Sequence, residues 1–180
     1  MVNLDFGTVS VDQAFTVKGI GTVALGVVKA GTVKKHDVLR ALPGSGRAEV
    51  RSIQKHDDDF DTAEPGDHVG VALKGVESDD LPRGTVLTDD SSMMVTQRTD
   101  AELTLNAYWA QLPHAGMVVQ VGYWMQFNVA RVSQAEPLGG RRHRLTLEME
   151  KPLVHPTGSS AALTYTDGGK LRVMGAITLP

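Results

Sequence analysis

FTVKGIGTVALGVVKAG, Phe15 to Gly31, decides the fold. Four glycines punctuate valines and small residues, and Gly19-x-Gly21 raises the question of phosphate binding. A phosphate-binding turn needs backbone N–H groups converging at a helix N-terminus. The dinucleotide pattern fails, because Ala24 stands where the third glycine belongs and strand-like residues follow. The P-loop pattern also fails: in the only Gly-Lys pair, Gly169-Lys170, Leu171 follows and Thr164 replaces the first glycine. Asp67-His68-Val69-Gly70 matches D-x-x-G by form alone, and no N-K-x-D occurs. The glycines therefore punctuate strands, as bends, bulges or points of close approach.

Alternation outward from this segment supports strands. Ala48, Val50 and Ile53 fall near period two in RAEVRSIQ. Ala101, Leu103, Leu105 and Ala107 alternate strictly in AELTLNA, as do Leu145, Leu147 and Met149 in RHRLTLEME. VGVAL, Val69 to Leu73, has apolar residues at every other position and small ones between. Such patterns bury one face of a sheet and wet the other. ALPGSGR, AEPGDH, DLPRG, EPLGG and TDGGK supply turns, and strands recur about every ten residues, as in sandwiches and barrels. The expected class is all-β, with at most one helical turn capped by Ser78 and stopped by Pro82. The polar stretch TDDSSMMVTQR, Thr88 to Arg98, reads as a seam between two barrels, at residues 1–90 and 96–180.

Composition narrows the functions. Among 180 residues, 41% are hydrophobic and 22% charged, enough for a core, and a net charge of -3 excludes a global basic field. There is no cysteine, which removes disulfides and thiolate chemistry and fits a reducing compartment. No apolar run approaches the roughly 20 residues that span a bilayer, and MVNLDFGTVS is no secretory signal. A cytoplasmic protein without membrane contact is expected. The six histidines include no pair at i+2 to i+4, and Asp57-Asp58-Asp59 with Asp61 lacks the glycine and distal glutamate of a calcium loop. No nucleophile elbow occurs. The expectation is no catalytic residue, no metal and no cofactor.

FTVKGIGTVALGVVKAGTVKKHDVL resembles the start of domain II of the translational GTPases of the elongation factor Tu, archaeal-eukaryotic elongation factor 1-alpha and selenocysteine-specific elongation factor family. VRSIQKHDDDFDTAEPGDHVGVALKG, read as strand, variable loop and strand, and VESDDLPRGTVL continue the resemblance in order. The second half is similar to domain III: DAELTLNAYW to its first strand, Pro152-Leu153 to a strand ending at proline, and GGKLRVMGAITL to its final strand pair. The family's G domain, which carries the GTP chemistry, normally precedes this region. The chain is then either part of a longer factor or two barrels alone.

The resemblance implies a non-catalytic module that binds aminoacyl-tRNA or ribosomal RNA, as a monomer, with a GTPase domain in cis or in trans. The 3′ terminal adenosine of tRNA needs a flat apolar slot, a close backbone and one polar side chain. By position, Val17, Gly19 and Val23 match the wall and the close-approach glycine. Leu73 matches the opposite wall, and Gln54 stands where glutamate is common. Asp57 and Ile20 stand where bacterial Tu factors carry arginines, Ile20 in the archaeal and eukaryotic manner. Barrel core is the competing role for Val17, Val23 and Leu73. Arg141, Arg142 and Arg144 with Lys151 are candidates for RNA phosphates, or a solvated face. The alternative function is a protein-interaction barrel, with Tyr108, Trp109, Tyr123 and Trp124 as interface anchors.

Overall fold

The computed structural model describes residues 6–167, 169 and 171–180. The N-terminal MVNLD, and Gly168 and Lys170 of the GGKLRVMGAITL stretch, lie outside the described residues. The chain divides into two compact units between Ser92 and Met93.

The first unit contains β1 (Thr8–Val17), β2 (Gly21–Ala30), β3 (Val33–Lys34), β4 (Val38–Leu42), β5 (Gly46–Lys55), β6 (Asp58–Phe60), β7 (Thr62–Ala63), β8 (His68–Lys74) and β9 (Val86–Thr88). Antiparallel pairing runs β4-β9-β1-β2-β8-β5 and closes where β5 meets β4. Strand β6 hangs on β5, and β3 pairs with β7 as a small ribbon. On β2, Thr22, Ala24, Gly26, Val28 and Ala30 face inward. Of these, Ala24 and Val28 join Val11, Val50, Ile53, Val71 and Leu73 in one core. A bulge between Val11 and Gln13 bends β1 across this core.

Among the described residues the single helical turn is a 3-10 turn, Ser78–Asp80. Its cap is Glu77 rather than Ser78: the Glu77 and Asp80 side chains form a reciprocal capping box. Ser78 instead shares a hydroxyl contact with Thr16.

The second unit contains β10 (Met94–Leu105), β11 (Val118–Tyr123), β12 (Gln126–Gly139), β13 (Arg142–His155), β14 (Ser160–Thr164) and β15 (Val173–Thr178). They form a closed antiparallel barrel in the order β10-β13-β12-β11-β14-β15. Both barrels are thus closed and six-stranded, and the all-β reading holds. Met94 to Arg98, which read as seam, belong to β10. Their alternation is faint because most of that half of the strand is exposed on both faces.

Strand β13 does not end at proline. It pairs with β10 as far as His155, while its ladder to β12 stops at Met149. Pro152 lies beyond that point, where the β12 side needs no N–H. Two amides replace the missing ladder. Gln126 donates Nε2–H to the Val154 carbonyl at 2.7 Å and accepts from the Val154 N–H at 2.8 Å. Asn128 donates to the carbonyls of Lys151 and Pro152, both at 3.1 Å.

His155 closes this end of β13 and is fully buried. Its Nδ1 faces the Pro156 carbonyl and its Nε2 the Thr96 hydroxyl, both at 3.0 Å. A carbonyl only accepts, so Nδ1 carries the proton and Nε2 accepts from Thr96. Burial pushes the imidazole pKa down, and the Pro156 carbonyl opposes this in part. The unfolded chain, titrating near pH 6.5, then binds a proton the folded chain refuses. Stability from His155 is therefore complete above about pH 6.5 and declines as pH falls towards the lowered folded value, by at most about 1.4 kcal/mol per pH unit. Denaturant unfolding between about pH 7.5 and about pH 5 checks this. The His155→Gln variant should show a flatter profile.

Candidate nucleic-acid interface

The hairpin of β1 and β2 carries the opening segment. Val17 pairs with Gly21, and Lys18, Gly19 and Ile20 form the loop, closed by the Ile20 N–H on the Val17 carbonyl at 3.1 Å. Gly19 has φ +84° and no atom within 4 Å of where a Cβ would stand. Its role is conformational. Gly26 is different: a Cβ there would lie 2.4 Å from the Ser10 carbonyl oxygen. One glycine turns the chain, and the other lets β1 cross β2.

Strand register then sorts the site residues by face. After the bulge, Phe15 pairs with Val23, which pairs across β2 and β8 with Ala72, itself paired with Ser52 of β5. The next outward row is Gln13, Leu25, Gly70 and Gln54. Side chains two apart share a face, so Val17, Phe15, Val23, Leu25, Ala72 and Gln54 all lie on the outside of the barrel. Phe15 is 36% and Leu25 40% exposed. Gly70 leaves a gap between Leu25 and Gln54, and the Leu25 Cδ2 leans over it, 3.4 Å from where a Cβ would be.

Leu73 does not join them. It is paired with inward-facing Thr22, is 4% exposed and belongs to the core. The residue opposite Val23 on the outer face is Ala72. A slip of one position moves a strand residue to the other face. Phe15, Leu25 and Ala72 were missed, although the small residues between Val69, Val71 and Leu73 already marked an outer floor.

Gln54 is exposed and donates its Nε2–H to Asp59 Oδ1 of β6 at 3.1 Å. Asp57, with His56, makes the two-residue turn from β5 to β6, at φ +70° and +52°. Ile20, 61% exposed, rims an open depression of ≈ 270 Å³ at the barrel end, with Thr16, Arg51 and Lys74. Lys55 lies 3.0 Å from Asp67 and 4.1 Å over the Phe60 ring, which fixes β6 against the turn before β8. The Asp67 carboxyl titrates below the usual range, chiefly through the Glu64 N–H and then through Lys55.

In the second barrel the basic candidates separate. Arg141 is an internal clamp: its guanidinium donates to the carbonyls of Leu105 at 3.3 Å, Asn106, and Trp109 at 2.7 Å. Arg142 pairs with Glu102 at 2.6 Å, and Arg144 lies 4.0 Å from the same carboxylate. Lys151 is exposed nine residues beyond Arg142 on β13, on the order of 30 Å away at strand rise. These four side chains form no single basic patch. Of the aromatic candidates, Trp109 is buried edge-on to Tyr165, Tyr123 stacks on Trp124 at 4.6 Å, and Tyr108 is 86% exposed.

Residues 21–88 match the family described as Elongation factor Tu domain 2. The first barrel is an elongation factor Tu domain 2. An uncharacterized protein of Methanocaldococcus jannaschii is 33% identical over 97% of this chain and 57% of its own length. The selenocysteine-specific elongation factor of the same organism is 41% identical over 53% of this chain and 20% of its own length. Among solved structures, the apo translation elongation factor SelB of Methanococcus maripaludis matches with TM-score 0.85 and 25% identity, over 97% of this chain and 42% of that one. This match spans the elongation factor Tu domain 2 barrel and the second barrel alike. The chain covers at most 57% of the length of these relatives.

Proposed function

We propose that this chain is a non-catalytic translation-factor module whose elongation factor Tu domain 2 holds the 3′ terminal nucleoside of aminoacyl-tRNA. The supporting observation is the outer face itself. Phe15, Val23 and Leu25 stand over a floor kept low by Gly70 and Ala72, with the Gln54 amide at its edge. A flat base needs such a surface, and an exposed aromatic beside an amide supplies stacking and one hydrogen bond. The translation-factor relatives favour tRNA, and action in the cytoplasm, over other bearers of a free nucleoside. The separated and paired arginines of the second barrel argue against a phosphate-binding cluster there. Arg141 serves architecture.

The test is binding of the whole chain to tRNA with an intact 3′ end and to tRNA lacking its terminal adenosine. Wild type should prefer the intact end. Phe15→Ala should lose about 1–3 kcal/mol of that preference, the worth of one stacked base. Equal binding of the two tRNAs by wild type rejects the reading.

A second reading, a protein-interaction barrel, has one observation in its favour. An apolar depression of ≈ 620 Å³ lies on the outside of β14 and β15, over Ala162, Gly175 and Ala176, beside Val173. Stoichiometric co-purification of one protein, without RNA, supports this reading against the first.

A further inference from the structure

The polar edge of the outer face holds a pair that resemblance does not account for. Gln54 and Asp59 are direct partners across β5 and β6, and the Gln54 Nε2 lies 3.1 Å from Asp59 Oδ1. A carboxylate only accepts, so this contact fixes the amide: nitrogen towards Asp59, oxygen away from it. Gly70 has no side chain, and the Lys55 ammonium is 3.0 Å from Asp67. Gln54 thus displays an acceptor at the edge of the apolar floor. Glutamate at position 54 would also be an acceptor, but it would set two carboxylates side by side. The identities at 54 and 59 therefore depend on each other.

We infer that Asp59 is a positioning residue: by holding the Gln54 amide nitrogen it turns the Gln54 oxygen to the ligand, so the site selects a terminal nucleoside that donates a hydrogen bond there. This rests on the reading of the outer face as the tRNA-end site. Two donors of such a nucleoside qualify, the ribose 2′-hydroxyl and the exocyclic amine of adenine.

The experiment measures binding of the whole chain to RNA minihelices with a single-stranded CCA end. The terminal residue is adenosine, 2′-deoxyadenosine, or purine riboside lacking the amine. Wild type should lose about fivefold in affinity with one of the two altered ends, which names the donor; a net neutral hydrogen bond has that worth. Asp59→Ala should bind all three ends alike, because a freed amide rotates. Asp59→Asn, whose side-chain oxygen still accepts, should restore the selectivity. Gln54→Glu alone should weaken binding to every end by repulsion from Asp59. Gln54→Glu combined with Asp59→Ala should recover the selectivity, since a carboxylate accepts on either oxygen. This reversal of sign is not produced by a merely structural Asp59. Unchanged selectivity in Asp59→Ala overturns the role of Asp59 and leaves the tRNA-end reading intact. Failure of wild type to distinguish an intact from a shortened end overturns both.

Discussion

Leu73→Ala should destabilise the elongation factor Tu domain 2 barrel by about 2–5 kcal/mol, the usual cost of emptying a buried leucine site. Leu73 is paired with Thr22 and sits among Val50, Val71 and Val76, with almost none of its surface in water. A cavity between facing sheet residues cannot collapse without moving a closed ladder. Denaturant unfolding followed by a probe in the first barrel should show the loss, and one in the second barrel should not, because the two cores share no residue. At a temperature where the variant is folded, its preference for an intact tRNA end should survive, because Ala72 forms the outer floor. Loss of that preference without loss of stability would return Leu73 to the pocket.

Gly26→Ala is the second large effect. The new methyl would stand 2.4 Å from the Ser10 carbonyl oxygen and 3.0 Å from Val9 Cγ1. Ser10 cannot retreat, since it is paired with Val27 on one side and Val86 on the other. The clash is with backbone, so relief requires moving two ladders, at a cost of about 3 kcal/mol, the upper end for overpacking. Gly19→Ala is the control in the same hairpin. There the methyl meets nothing, and the cost should be about 1 kcal/mol, that of left-handed backbone alone. Equal melting shifts for the two variants would refute the distinction between a crossing glycine and a turning one.

The fold was legible wherever one face of a strand is wet. Strands β5, β8 and β13 follow the alternations around Val50, Val71 and Leu147. Strand β6 was not, because His56 and Asp57 make a turn that is signalled by Asn-Gly in most hairpins. The Asp57 to Asp61 run therefore looked like loop. The site was half legible. Val17, Val23 and Gln54 share a face, but Leu73 is one position from the residue that does, and alternation in VGVAL was the better guide. Phe15 and Leu25 become partners of Val23 and Gly70 only through register, which sequence spacing does not carry across a bulge. The clamp role of Arg141 depends on carbonyls 32 to 36 residues away, which no local pattern shows.

The order of strands also sets when each barrel can exist during synthesis. The first barrel is sealed by β9, and its last strand has been made by Thr88. The second is closed by β15 on β10, with Leu103 waiting for Ile177 and Leu105 for Gly175. Until the ribosome has released those residues, β10 and β14 both present open edges. Such edges invite pairing with another chain. A ribosome stalled before Val173 would thus hold one finished barrel and one adhesive sheet. The last strand acts as the latch on that vulnerable interval.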